Sequence, residues 1–133
     1  MEAAALAAAL RALPQTEVTE LQARARQATL EGPCPLLVAG SCRLYAARPL
    51  ICRTHGLPLL MTGADGPRVD YCPKNFADVA SLPAAAIIDL ERLNTALVAI
   101  NQLYLRECQD DGTSANARLS IAAALLLRGD GKR

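Results

Sequence analysis

Residues 33–76 read PCPLLVAGSCRLYAARPLICRTHGLPLLMTGADGPRVDYCPKNF, with four of the chain's five cysteines at Cys34, Cys42, Cys52 and Cys72. Turn formers recur through the segment at Pro33, Pro35, Gly40, Pro49, Gly56, Pro58, Gly63, Gly66 and Pro67. Glycine and proline this dense break both helical and long-strand patterns, so the segment is an irregular insert. One short β-hairpin is predicted inside it: Leu59-Leu60-Met61, a turn over 63–67, then Arg68-Val69-Asp70-Tyr71.

Outside the insert the pattern is helical. Leu6, Leu10 and Leu13 are spaced by four and three before Pro14 interrupts. A second helix, capped by Thr16, carries Val18, Leu21, Ala25 and Ala28 up to Gly32-Pro33. After Ser81 and Pro83 a long helix is predicted, with Ala86, Leu90, Leu93, Leu97, Ile100 and Tyr104 forming one apolar stripe. Asp110-Asp111-Gly112 ends it, with the two acids solvated. Ser114 caps a last helix that packs through Leu119, Ala122, Ala123, Leu126 and Leu127, ahead of a frayed tail from Gly129. The expected fold is mainly α, a small helical bundle with a central cysteine-rich, loop-rich insert. It is read as one domain over 1–133: helices over 1–31, the cysteine loop over 33–76 and helices over 82–128.

Composition narrows the function. Of 133 residues, 26 are Ala and 22 are Leu, against five Val and five Ile, which disfavours an all-β fold. Three Tyr, one Phe and no Trp give no stacking platform for single-stranded nucleic acid, and a net charge of +1 gives no field that steers toward DNA or anionic lipid. No stretch reaches the roughly 18 apolar residues of a membrane span, and AAALAAAL at 3–10 is preceded by Glu2 with no Lys or Arg, unlike an export signal. Five cysteines without such a signal predict a cytoplasmic protein whose thiols ligate metal or do redox chemistry.

The four loop cysteines follow the spacing Cys34-x7-Cys42-x9-Cys52-x19-Cys72. Four thiolates on one ion or cluster would staple a loop poor in apolar residues, since ligation contributes directly to folding. Residues 34–76 hold Arg43, Arg48, Arg53, Arg68 and Lys74 against Asp65 and Asp70, a local net of +3. A tetrathiolate zinc site or an oxidised four-iron cluster carries about −2, and neighbouring cations favour thiolates. The spacings lack the paired knuckles of zinc fingers. Ligands on separate turns tilt the reading toward a 4Fe-4S cluster, although thiolates satisfy zinc as well.

The runs Cys34-Pro35-Leu36-Leu37, Gly40-Ser41-Cys42-Arg43-Leu44-Tyr45, Arg48-Pro49-Leu50-Ile51-Cys52-Arg53-Thr54-His55 and Tyr71-Cys72-Pro73-Lys74-Asn75-Phe76 cover about a third of the chain. They resemble the cysteine-cluster signature of the YkgJ-like family of zinc- or iron-chelating proteins. The resemblance implies a metal or iron-sulfur site at Cys34, Cys42, Cys52 and Cys72, and no settled activity. Many members of that family have a further cysteine group upstream, whereas residues 1–33 contain none.

Around the ligands, Tyr45, Arg48, Arg53 and His55 are candidate hydrogen-bond donors to the thiolates, with Tyr45 also packing under the loop and Arg48 capping backbone carbonyls. Cys108, four residues after Tyr104 on the apolar stripe, is expected in the core. No phosphate loop, Ser-His-Asp set, HExxH or C-x-x-C pair occurs, so an enzyme is disfavoured. The leading expectation is a metal-binding protein with a structural or electron-transfer role. The alternatives are a zinc-stabilised module that binds an acidic partner through Arg43, Arg53, Arg68 and Lys74, and an enzyme or enzyme accessory that uses a redox-active cluster with His55 near it. The long stripe is compatible with a monomer or a helix-mediated homodimer.

Overall fold

In the computed structural model, which describes residues 1–108 and 118–127, the elements in chain order are α1 (Glu2–Arg11), α2 (Gln15–Gln27), β1 (Leu37–Val38), β2 (Ser41–Cys42), α3 (Leu50–Arg53), β3 (Leu59–Gly63), β4 (Gly66–Asp70), β5 (Ile88–Asp89), α4 (Leu90–Glu107) and α5 (Ile121–Leu125). They divide into two compact units, Met1–Pro49 with Ala117–Arg133, and Leu50–Asn116. Helix outweighs strand, but the architecture is mixed rather than purely helical.

The first unit is a leucine core. Leu6 and Leu10 of α1, Val18, Leu21 and Ala25 of α2, and Ala124 and Leu125 of α5 bury together, with Leu125 fully inaccessible. The fixed φ of Pro14 serves as the N-cap of α2, so the helix starts at Gln15 and no side chain caps it; Thr16 is already inside the first turn. At the other end α2 stops at Gln27, short of Gly32. The cysteine loop joins this core through Leu36 and Leu44, both buried. A segment predicted to be poor in anchors thus supplies two.

In α5 the register differs from the expected one. Ser120, whose hydroxyl accepts from the Ala123 N–H at 3.1 Å, starts the helix. Ala124 and Leu125 therefore face the core, with Ala122 and Leu126 packed against it as expected, while Leu119 and Leu127 are exposed. The expected cap at Ser114, the helix end at Asp110-Asp111-Gly112 and the tail from Gly129 lie outside the described residues.

The second unit is a three-stranded sheet, order β4-β3-β5, with α4 packed against β3. The predicted hairpin is present and longer than expected, pairing Leu59 with Asp70 through Gly63 with Gly66 around Ala64-Asp65. Pro67 is tolerated because β4 is an edge strand. The long helix begins at Leu90, later than expected. β-Branched Ile87 and Ile88 favour extended backbone, and Ile88–Asp89 adds to β3 as a parallel strand. The Asp89 carboxylate then caps α4 by accepting from the Arg92 N–H at 3.0 Å, and Ala86 is left in a separate 3₁₀ turn, Ala84–Ala86.

Cys108 is not a core residue. It is the exposed C-cap of α4, one position past the last helical residue, whereas Leu105 one turn earlier is buried. Among the described residues no helix is long and apolar enough to cross a membrane. Leu125→Ala or Leu21→Ala should destabilise the protein by about 2–5 kcal/mol through cavity formation, read by chemical denaturation. Leu30→Ala, at a fully exposed position, should shift stability by less than about 0.5 kcal/mol.

Candidate metal centre

Cys34 and Cys42 belong to the first unit and are set by a small hairpin that the sequence pattern did not reveal. The Leu37 N–H donates to the Cys34 carbonyl at 2.9 Å, closing a turn over 34–37, and Cys42 pairs across from Leu37. Ala39 at φ 49° and Gly40 at φ 77° make the two-residue connection between β1 and β2, the left-handed pair that matches strand twist. Cys42 packs half-buried against the leucine core, whereas Cys34 is exposed.

Two side chains from α2 clamp this hairpin. The Arg24 guanidinium donates from Nε to the Pro35 carbonyl at 3.0 Å and from Nη2 to the Leu37 carbonyl at 2.7 Å. Arg43, directly after Cys42, pairs with Glu17. The hydrogen bond to Glu17 and then its charge hold the Arg43 guanidinium above its ordinary pKa; partial desolvation opposes them, and the charge of Glu20 adds the least. Arg43 therefore fastens the loop to α2, and its charge is already met by a carboxylate rather than left over for a thiolate or an acidic partner.

Cys52 and Cys72 belong to the second unit. Cys52 lies in the single turn of α3, which is continued by the Thr54 N–H donating to the Leu50 carbonyl at 2.9 Å. Thr54 is buried and satisfied, its hydroxyl donating to the same carbonyl at 3.1 Å. Gly56 follows at φ 80°, and its carbonyl accepts from both the Cys72 N–H at 3.3 Å and Asn75 Nδ2 at 3.1 Å. A turn over 72–75, closed by the Asn75 N–H on the Cys72 carbonyl at 3.0 Å, is bracketed by an edge-to-face contact of Tyr71 and Phe76 at 5.6 Å. Gly56 is thus the seat on which the Cys72 turn rests, and both cysteines are half-buried and outside any disulfide.

The Arg48 guanidinium carbon lies 3.6 Å from the Tyr45 ring centroid, a cation–π stack, and Arg48 Nε donates to the Tyr45 carbonyl at 3.2 Å. Tyr45 is 63% exposed, so it does not pack under the loop, whereas Arg48 does cap a carbonyl as expected. Arg53 and His55, one and three residues after Cys52, are exposed.

Thiolate sulfur is a soft donor, and the four cysteines lie at exposed or half-buried positions outside any disulfide. Among the described residues no three His, Cys, Asp or Glu side chains are grouped as a metal site. What sequence reasoning missed is the frame: Arg24 and Glu17 gave no local cue, and Gly56 and Asn75 become partners of Cys72 only when distant segments meet. Comparison with protein-family models, curated proteins and solved structures finds no match to this chain.

A Cβ at Gly56 would stand 2.5 Å from Asn75 Nδ2 and 3.2 Å from the Cys72 Cβ, whereas one at Gly40 would meet nothing within 4 Å. Both positions are left-handed, so Gly40→Ala should cost about 1–2 kcal/mol from backbone conformation alone. Gly56→Ala should cost more, and Gly56→Ala combined with Asn75→Ala should recover part of the difference in denaturation midpoint.

Proposed function

We propose that the protein is a metal-binding protein in which Cys34, Cys42, Cys52 and Cys72 are the thiolate ligands of a single centre, an iron-sulfur cluster or a zinc ion, with a structural or electron-transfer role. The observation that carries this reading is the chemistry of the donor set. Four cysteines of one turn-rich segment stand outside any disulfide at exposed or half-buried positions, and three of them are tied to short hydrogen-bonded turns or to the hairpin. The resemblance to the YkgJ-like family selects the same four residues.

Bound thiolates would place about −2 on a zinc or oxidised four-iron centre. Arg53 and His55, within three positions of Cys52, are the side chains we assign to hydrogen-bonding that charge, while Arg48 acts through its stack on Tyr45. Ligands in reduced form persist in a reducing compartment, so we place the protein in the cytoplasm. A centre closed by four thiolates leaves no open coordination position for Lewis-acid catalysis.

Anaerobic purification followed by an absorption spectrum and analysis for iron, zinc and sulfide tests the proposal. Brown colour with iron and sulfide in equal amounts means a cluster, and about one zinc per chain without colour means a structural site. Cys42→Ser and Cys52→Ser should each lose most of the metal, and Cys108→Ser should keep it. A chain without metal, or the reverse pattern among these variants, overturns the assignment.

A further inference from the structure

Helix α4 buries one face and leaves a different one apolar. Leu90, Leu93, Asn94, Leu97, Val98, Asn101, Tyr104 and Leu105 are buried or half-buried. Projected at 3.6 residues per turn, they form the side toward the sheet. On the flank beyond it, Arg92, Ala96, Ala99, Ile100, Leu103 and Glu107 are all exposed, Ile100 at 47% and Leu103 at 58%. Their spacing of four, three or four, three or four, and four keeps them on one strip roughly 100° wide, the width of an ordinary packing face. Ile100 and Leu103, one turn apart at the middle of the strip, form an exposed apolar pair.

The strip is complementary to itself when reversed. Set antiparallel to a copy of itself with the two-fold axis between positions 99 and 100, it brings Arg92 opposite the partner's Glu107, Ala96 opposite the partner's Leu103, and Ala99 opposite the partner's Ile100. Each large apolar side chain meets an alanine, which lets the helices approach and interdigitate, and each end closes with an ion pair. The same two charges are misplaced for an isolated helix, because a cation in the first turn and an anion in the last oppose the macrodipole. Against a reversed neighbour both become favourable: Arg92 lies at the partner's negative C-terminal end, and Glu107 at its positive N-terminal end.

We propose that this strip of α4 is an isologous homodimer interface, with two copies of the chain pairing antiparallel through Ile100 and Leu103 and flanked by two Arg92–Glu107 ion pairs. The contact is one helix face on each side, smaller than a standard interface of roughly 1,200–2,000 Å², so the dimer dissociates on dilution. It differs from pairing through the stripe Ala86 to Tyr104, because most of that stripe is half-buried within the protomer and Ala86 lies outside the helix. The proposal is independent of the metal reading.

Sedimentation equilibrium of the full chain over a wide concentration range tests it, with circular dichroism verifying the fold of each variant. The wild type should run as a monomer–dimer equilibrium. Leu103→Lys should weaken association at least about tenfold, from the loss of two buried leucine contacts. Arg92→Glu alone should weaken it by setting glutamate against glutamate at both ends, and Arg92→Glu with Glu107→Arg should restore it. A parallel pair would show no such rescue, because each residue there faces its own copy. A monomer at every concentration, a dimer indifferent to Leu103→Lys, or charge variants without the loss and recovery overturns the proposal.

Discussion

The burial of leucines from segments far apart in sequence is the constraint on which the first unit depends. Leu6 and Leu10, Leu21, Leu36, Leu44 and Leu125 share one core, so the two N-terminal helices, the cysteine loop and the short C-terminal helix are fixed by the same event. A helix of five residues such as α5 has no stability of its own. It exists because Ala124 and Leu125 fill the space beside α1 and α2. The part of the loop up to Pro49 is held by the same means, through Leu36 and Leu44.

Hydrogen bonds then refine what burial fixes. The bidentate contact of Arg24 on the Pro35 and Leu37 carbonyls satisfies backbone acceptors that a loop cannot pair internally. In the second unit the Gly56 carbonyl does the equivalent work by accepting from both Cys72 and Asn75. Each device orders a cysteine's backbone through a residue that is not itself a thiol. The arginines beside the cysteines divide into different roles: Arg43 is met by Glu17 and Arg48 lies on Tyr45, while Arg53 remains exposed. The local excess of positive charge is thus partly taken up within the fold, by the pairing of Arg43 with Glu17.

In α4 the helical period and the direction of burial are separate questions. The side toward the sheet includes Asn94 and Asn101, whereas Ile100 and Leu103 face away. Periodicity finds the helix because apolar residues recur every three or four positions. It does not say which of two adjoining apolar strips the sheet will cover. That depends on the entry angle, which Asp89 and the parallel pairing of Ile88 with Leu59 impose at the first turn.

The sequence by itself determined the N-terminal helices, the existence of α4, the hairpin of β3 and β4, and the irregular character of the cysteine segment. Leucine spacing, turn residues and proline act within a few residues of their own position, so their consequences are local and legible. Only tertiary structure decided that Leu36 and Leu44 are core residues and that Arg43 belongs to Glu17. It also decided that Gly56 supports Cys72, that α5 faces inward through Leu125, and that Cys108 lies exposed at a helix end. Each of these depends on a partner at least ten positions away, or on where a packed face stops. Burial and hydrogen bonding between distant segments have no period in the chain from which they could be read.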